Sequence, residues 1–229
     1  MTTLVLLPGM DGTGELFSPF ADAVEAKTRI VRYPASPPLA YAELEAFAAA
    51  ELPADEPYVL LGESFSGPIA LSIAAKQPPQ LRGIVLCCSF ARNPRPIPAL
   101  LSGLVNRLPD RPPVGLLLWF LAGRFATPEL RQALTRALAK IPPATLRARM
   151  AAVLGINVVS LPPSLSVPLL YLRAVEDRVV PATASRLILE HVPNGRVVDF
   201  VAPHFLLQTV PREAASVVDE FVREAGSAR

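Results

Sequence analysis

Gly62-Glu63-Ser64-Phe65-Ser66-Gly67 stands directly after the apolar run Tyr58-Val59-Leu60-Leu61, and from Ser64 to Lys76 the chain is mostly small and apolar. Read in that order, the segment is a strand, a sharp turn and a central buried helix. A serine on such a turn projects its hydroxyl above the sheet, and the glycine two places earlier permits close approach of neighbouring backbone. Ser64 would also sit at a helix N-terminus, where unpaired N–H groups and the macrodipole favour negative charge.

The alternation continues in both directions. Upstream, Thr3-Leu4-Val5-Leu6-Leu7 ends at Pro8-Gly9, and Arg29-Ile30-Val31-Arg32-Tyr33 ends at Pro34. Downstream lie Gly83-Ile84-Val85-Leu86-Cys87-Cys88, Leu169-Leu170-Tyr171-Leu172 and Arg196-Val197-Val198-Asp199-Phe200-Val201. Several are continuous apolar runs, as parallel strands covered on both faces require. Ala42 to Leu52 places Leu44, Phe47 and Ala48 on one helical face. Pro211 to Ala225 places Ala214, Val217, Val218, Phe221 and Val222 at the i, i+3, i+4, i+7, i+8 spacing, with its proline at the first helical position. Strand and helix in alternation predict an α/β fold with a doubly wound sheet, because parallel strands need crossovers.

The middle of the chain breaks this pattern. Twelve of the 26 prolines fall between Pro94 and Pro168, so 93–165 reads as short helices separated by Pro112-Pro113, Pro142-Pro143 and Pro162-Pro163. The clearest is Pro128 to Ala139, capped by Thr127. From Arg92 to Asn157 ten basic residues face two acids, an excess of eight, and the remainder carries −6 within a total of +2. This asymmetry marks a separate module: a core of 1–92 and 166–229, and a helical insertion of 93–165.

Composition bounds the function. The 229 residues are 51% hydrophobic and 18% charged, enough for one generous core and unlike a disordered chain. The longest apolar run, Val114 to Ala122, is too short to span a bilayer, so no stable membrane insertion is expected. Met1-Thr2-Thr3 leads straight into the first strand with no charged leader, so export is not expected. The two cysteines, Cys87 and Cys88, are adjacent, which makes a poor staple, and nothing has metal-ligand spacing. The expectation is a soluble, cytoplasmic protein that uses no cofactor.

Three features follow strands in a consistent order. One is the turn around Ser64. Another is Leu7-Pro8-Gly9-Met10-Asp11-Gly12-Thr13-Gly14, after the first strand. The third is an acid after the fifth strand, Asp177 in Glu176-Asp177-Arg178-Val179-Val180-Pro181, with a histidine after the last, His204 in Ala202-Pro203-His204-Phe205. In these the chain resembles the α/β-hydrolase family over nearly its whole length. It departs from that family in having Ser66 where the fifth position of the elbow is usually glycine. It also begins at what resembles the family's third strand, which implies a reduced, mostly parallel six-stranded sheet with helices on both faces and a helical lid.

The resemblance implies a serine hydrolase of carboxylic esters. Ser64 is the implied nucleophile, His204 the base and Asp177 the orienting acid, with the backbone N–H groups of Met10 and Phe65 as the oxyanion hole. Rivals exist for each: Ser66 for the nucleophile, His191 for the base, Glu176 and Asp199 for the acid. Asp11 either braces its glycine-rich turn or touches substrate. A phosphate cradle is the other physical reading of that loop, but no lysine follows in Walker spacing. Thioesterase or acyltransferase chemistry would use the same three residues, and a non-catalytic ligand receptor is the alternative of another class.

By the same resemblance, the insertion falls where the family places its lid. Val114 to Leu121, with Trp119, either lines an acyl pocket as a substrate-binding element or is an ordinary buried helix. The basic excess reads as solvated arginines or as a docking surface for an anionic substrate or an acidic acyl carrier, with Arg131, Arg136, Arg147 and Arg149 steering encounter. Scattered basic residues without stacking aromatics do not suit nucleic acid.

Overall fold

The computed structural model describes residues 2–96, 113–160, 165–192 and 195–227. Among them six strands form one sheet: β1 (Thr3–Leu7), β2 (Thr28–Ile30), β3 (Tyr58–Glu63), β4 (Leu81–Cys87), β5 (Leu169–Ala174) and β6 (Gly195–Phe200). Their order is β2-β1-β3-β4-β5-β6, and every pairing is parallel. The sequence expectation of a six-stranded α/β-hydrolase sheet agrees with this architecture.

Strand alternation divides the apolar residues between two layers. Leu4 and Leu6 of β1, with Val59 and Leu61 of β3, pack on one face; Val5 and Leu7, with Tyr58 and Leu60, pack on the other. The first face is covered by α1 (Ser18–Ala21), α8 (Leu206–Thr209) and α9 (Pro211–Ser227), whose stripe supplies Ala214, Val218, Phe221, Val222 and Ala225. The second is covered by α2 (Tyr41–Ala50), α3 (Gly67–Ala75) and α7 (Ala182–Leu189), through Leu44, Ala48, Ile69, Ile73 and Ile188. The edge strands β2 and β6 are only partly buried and carry Arg29, Arg196 and Asp199, charges that discourage pairing with another chain.

Two elements differ from the sequence reading. The run expected to be a strand over Arg29–Tyr33 leaves the ladder after Ile30. Val31 N still donates to Leu6 O (3.0 Å), but Tyr33 N donates to Gly12 O (2.9 Å), so the chain peels away to hold the loop after β1. The helix expected from Ser64 begins as a 3₁₀ turn, Ser64–Ser66, and becomes α-helical only at Gly67, because Ser64 itself has φ of 47°.

Between β4 and β5 lie α4 (Val114–Leu121), α5 (Pro128–Ala139) and α6 (Pro143–Gly155). Thr127 Oγ1 accepts from Leu130 N (3.2 Å), the cap read from sequence. Leu118, Ala122, Leu130, Leu134 and Ala137 form a small core with Leu16 and Phe205, so the insertion grips both the segment after β1 and the neighbour of His204. The expected proline breaks at Pro112 and Pro162-Pro163, and the charges at Arg107, Asp110 and Arg111, lie outside the described residues. Among the described residues no helix is long and apolar enough to cross a membrane.

Candidate active site

β1 and β3 are neighbours, but the chain leaves them in opposite directions, toward β2 and toward β4. The loops at their carboxyl ends therefore diverge and open the crevice in which α/β sheets hold ligands. Leu7 pairs with Gly62, which places the loop of residues 8–14 beside Ser64.

The turn at Ser64 is a strained conformation held by its surroundings. A left-handed φ on a non-glycine residue costs on the order of 1–3 kcal/mol. A Cβ on Gly62 would come within 2.8 Å of Ser66 O and 3.0 Å of Ala70 Cβ, so glycine there lets α3 close on β3. Ser64 O accepts from Ser89 Oγ (2.5 Å). Ser89 is clamped in turn by Tyr171, whose hydroxyl accepts from Ser89 N (3.0 Å) and donates to Ser89 O (2.6 Å).

Ser64 Oγ lies 2.8 Å from His204 Nε2, and His204 Nδ1 lies 2.8 Å from Asp177 Oδ2. Asp177 Oδ1 accepts from Val179 N (2.7 Å) and Val180 N (2.9 Å). With Oδ2 ionised and facing Nδ1, the imidazole carries its proton on Nδ1 and offers the Nε2 lone pair to the serine O–H. Burial alone would raise the Asp177 pKa. The adjacent imidazole, its hydrogen bond and the two backbone N–H groups outweigh burial and hold the carboxyl below its ordinary value of 3.8.

The rival residues are engaged elsewhere. Ser66 is fully buried; it donates to Pro8 O, leaving its lone pairs to accept from Tyr33 OH (2.7 Å). The serine that stands for the usual glycine thus ties the turn to the loop after β1. His191 Nδ1 bonds Leu187 O (2.9 Å) on α7. Asp199 forms a two-pronged pair with Arg173, and Glu176 does so with Arg124.

The other expected site residues take distinct places. Phe65 is buried and stacks on Tyr41 with ring centroids 4.6 Å apart. Met10 is partly buried, with its carbonyl accepting from Arg149. Asp11 Oδ2 accepts from Thr13 N (2.9 Å) and Thr13 Oγ1 (2.5 Å), which braces the turn. Burial pushes its pKa up against those bonds and the Arg149 charge. Trp119 is 60% exposed, and the Arg178 guanidinium lies 4.9 Å above its ring. Cys87 and Cys88 pack in the core, and burial raises both thiol pKa values, so they remain neutral.

Arg149, one of the arginines expected to steer a partner, is 1% exposed and so unavailable to one. Its guanidinium donates from Nη1 to Met10 O (3.0 Å) and Asp11 O (2.9 Å), and from Nη2 to Pro34 O (3.1 Å). The sequence reading also passed over Glu63, which accepts from Gln208 Nε2 (2.8 Å) and from Gly9 N–H and so bridges α8 and the loop after β1 beside Ser64. A glutamate between glycine and serine on a buried strand end was the available signal.

Burial pushes the Glu63 pKa up to about 7 from 4.5, opposed by Gln208, His204 and Gly9. Between those values the folded protein holds a proton that the unfolded chain releases, so stability falls as pH rises from 4.5 to 7, by roughly 3 kcal/mol in total. Glu63→Gln removes this slope because an amide does not titrate, and Gln208 can turn its unpartnered Oε1 to accept from the new –NH2. Thermal melts from pH 4.5 to 8 should show the variant gaining on the parent as pH rises; a constant difference would refute the assignment.

A family model described as "Serine aminopeptidase, S33" matches residues 41–205. The structure is similar to a lipase-esterase related protein from Clostridium acetobutylicum, with TM-score 0.81 and 17% identity over 96% of this chain and 94% of that one. It is similar to a bromoperoxidase from Bacillus anthracis, with TM-score 0.82 and 16% identity over 97% and 92%. It is also similar to a thermophilic esterase from Thermogutta terrifontis, with TM-score 0.77 and 18% identity over 98% and 90%. No curated protein matches the sequence.

Proposed function

The chain belongs to the α/β-hydrolase family described as serine aminopeptidase S33, and from that premise we propose that it hydrolyses carboxylic esters through an acyl-enzyme on Ser64. The observation that carries the reading is the hydrogen-bonded chain from Ser64 Oγ through His204 to Asp177, with both links at 2.8 Å. A serine hydroxyl is a weak nucleophile until a base removes its proton. His204 Nε2 takes that proton as Oγ attacks the acyl carbonyl, and Asp177 stabilises the imidazolium so formed. The N–H groups of Met10 and Phe65 receive the carbonyl oxygen as it becomes negative, each worth about 3 kcal/mol in the transition state. The imidazolium then protonates the departing alkoxide, and His204 activates a water that releases the acid.

Neither neighbouring carboxylate is available to hold a peptide N-terminus, which supports an ester over an aminopeptidase substrate. Glu63 and Asp11 are both buried and hydrogen-bonded inside the protein, so neither is presented to a substrate ammonium. The test is a fluorophosphonate probe with mapping of the labelled peptide. A panel of p-nitrophenyl esters, acyl thioesters and amino-acid p-nitroanilides follows. Labelling at Ser64 with ester turnover is expected. Faster thioester cleavage would reassign the leaving group, and absence of labelling would overturn the reading.

The insertion is read as a lid over this site, and its exposed α5 arginines as a docking surface for an acidic acyl carrier. Arg131 and Arg136 are exposed, whereas Arg149 leaves the set. Arg131→Glu with Arg136→Glu should raise KM for a carrier-bound acyl ester several-fold at low salt and spare p-nitrophenyl acetate. An equal effect on both substrates would remove the carrier from the reading.

A further inference from the structure

Arg149 reaches from α6 into the protein interior, where a buried cation is costly without partners. Its hydrogen-bond partners are main-chain carbonyls, two of them on the loop after β1, and their arrangement is directional. Arg149 Nη1 donates to Asp11 O (2.9 Å). The N–H of that same peptide group, Gly12 N, donates to Gly9 O (3.0 Å). The N–H of the peptide group that contains Gly9 O is Met10 N, the donor assigned above to the developing oxyanion. Two peptide planes therefore stand head to tail between the guanidinium and the Met10 N–H, with both hydrogen bonds running the same way.

We propose that Arg149 is a positioning residue that orients and polarises the Met10 N–H through the Asp11–Gly12 and Gly9–Met10 peptide groups. Each hydrogen bond in such a chain strengthens the next, and a full charge at its head polarises both amides toward the far end. The same guanidinium holds Met10 O (3.0 Å), which fixes the plane following the donor, and Pro34 O (3.1 Å), which ties the loop to the chain leaving β2. Gly12 completes the fit. Its φ of +71° favours glycine, and any Cβ there would run into the guanidinium. Asp11 adds an attractive charge while its carboxylate is occupied by Thr13. Helix α6 is then part of the catalytic frame, not a cover that lifts independently of it.

The inference rests on the hydrolase reading, and the test separates the two. Arg149→Met and Arg149→Lys are compared with the parent for kcat, KM and inhibition by an aryl trifluoromethyl ketone. That probe adds to Ser64 Oγ, with the serine proton passing to His204, and places an oxyanion beside Met10 N. In Arg149→Met kcat should fall roughly tenfold or more, KM should hold, and affinity for the ketone should fall by the same factor. Lys, which keeps the charge but not the fork, should recover part of each loss. If the Met variant does not fold, a Lys variant with reduced kcat and matching loss of ketone affinity supports the proposal. A folded variant of either kind with parental kcat and ketone affinity overturns it. A parent protein that neither binds the ketone nor takes the fluorophosphonate instead overturns the hydrolase reading.

Discussion

Ser64→Ala is expected to abolish ester turnover and fluorophosphonate labelling while leaving the melting temperature close to that of the parent. The side chain lost is one hydroxyl whose hydrogen bond runs to His204 Nε2, and the left-handed backbone at φ 47° is no worse for alanine than for serine. The turn keeps its brace, because Ser89 Oγ holds the carbonyl of residue 64 and not its side chain. Chemistry, by contrast, loses the atom that forms the covalent bond. In serine hydrolases such a loss costs on the order of 10⁶-fold in kcat. Ser66→Ala should show the reverse. Its hydroxyl links Pro8 O and Tyr33 OH inside the protein, so the expected result is a stability loss of about 1–3 kcal/mol with labelling retained. Labelling that survives Ser64→Ala and vanishes in Ser66→Ala would exchange the two roles.

How much of this was legible in the sequence follows from which signals are local. β1, β3, β4 and β5 are covered on both faces, so each is a nearly unbroken apolar run. That Ser64, Asp177 and His204 lie near one another was readable because each closely follows a strand end on the same side of a parallel sheet. β2 was overread because Val31 and Tyr33 stay buried after leaving the ladder, and burial alone does not distinguish pairing from packing. The clamps were not readable. Arg149 meets Met10 and Asp11 across more than 130 residues, and Ser89 meets Ser64 and Tyr171 through hydroxyls that leave no periodic trace. Helix α4 shows a different gap. Val114–Leu121 is apolar on every side, so the pattern could not say that Leu118 is buried while Leu116 and Trp119 are more than half exposed.

Asp177→Asn tests the relay at its far end, and the local backbone makes its outcome unusually specific. Val179 N and Val180 N both donate to Oδ1, so an asparagine at 177 must keep its amide oxygen on them. That choice turns the –NH2 toward His204 Nδ1, which can then only accept. The imidazole is locked with its proton on Nε2, facing Ser64 Oγ as a donor where a base is needed. The variant should therefore retain the fold and substrate affinity and lose roughly 10⁴-fold in kcat. Fluorophosphonate labelling should slow with it, since the same proton must leave the same hydroxyl. Asp177→Ala leaves the ring free to choose its tautomer, so it should be no less active than Asn despite removing more of the side chain. An Asn variant within tenfold of the parent kcat would mean that another carboxylate orients His204. Asp199 and Glu176 are poorly placed for that, each already paired with an arginine at the surface.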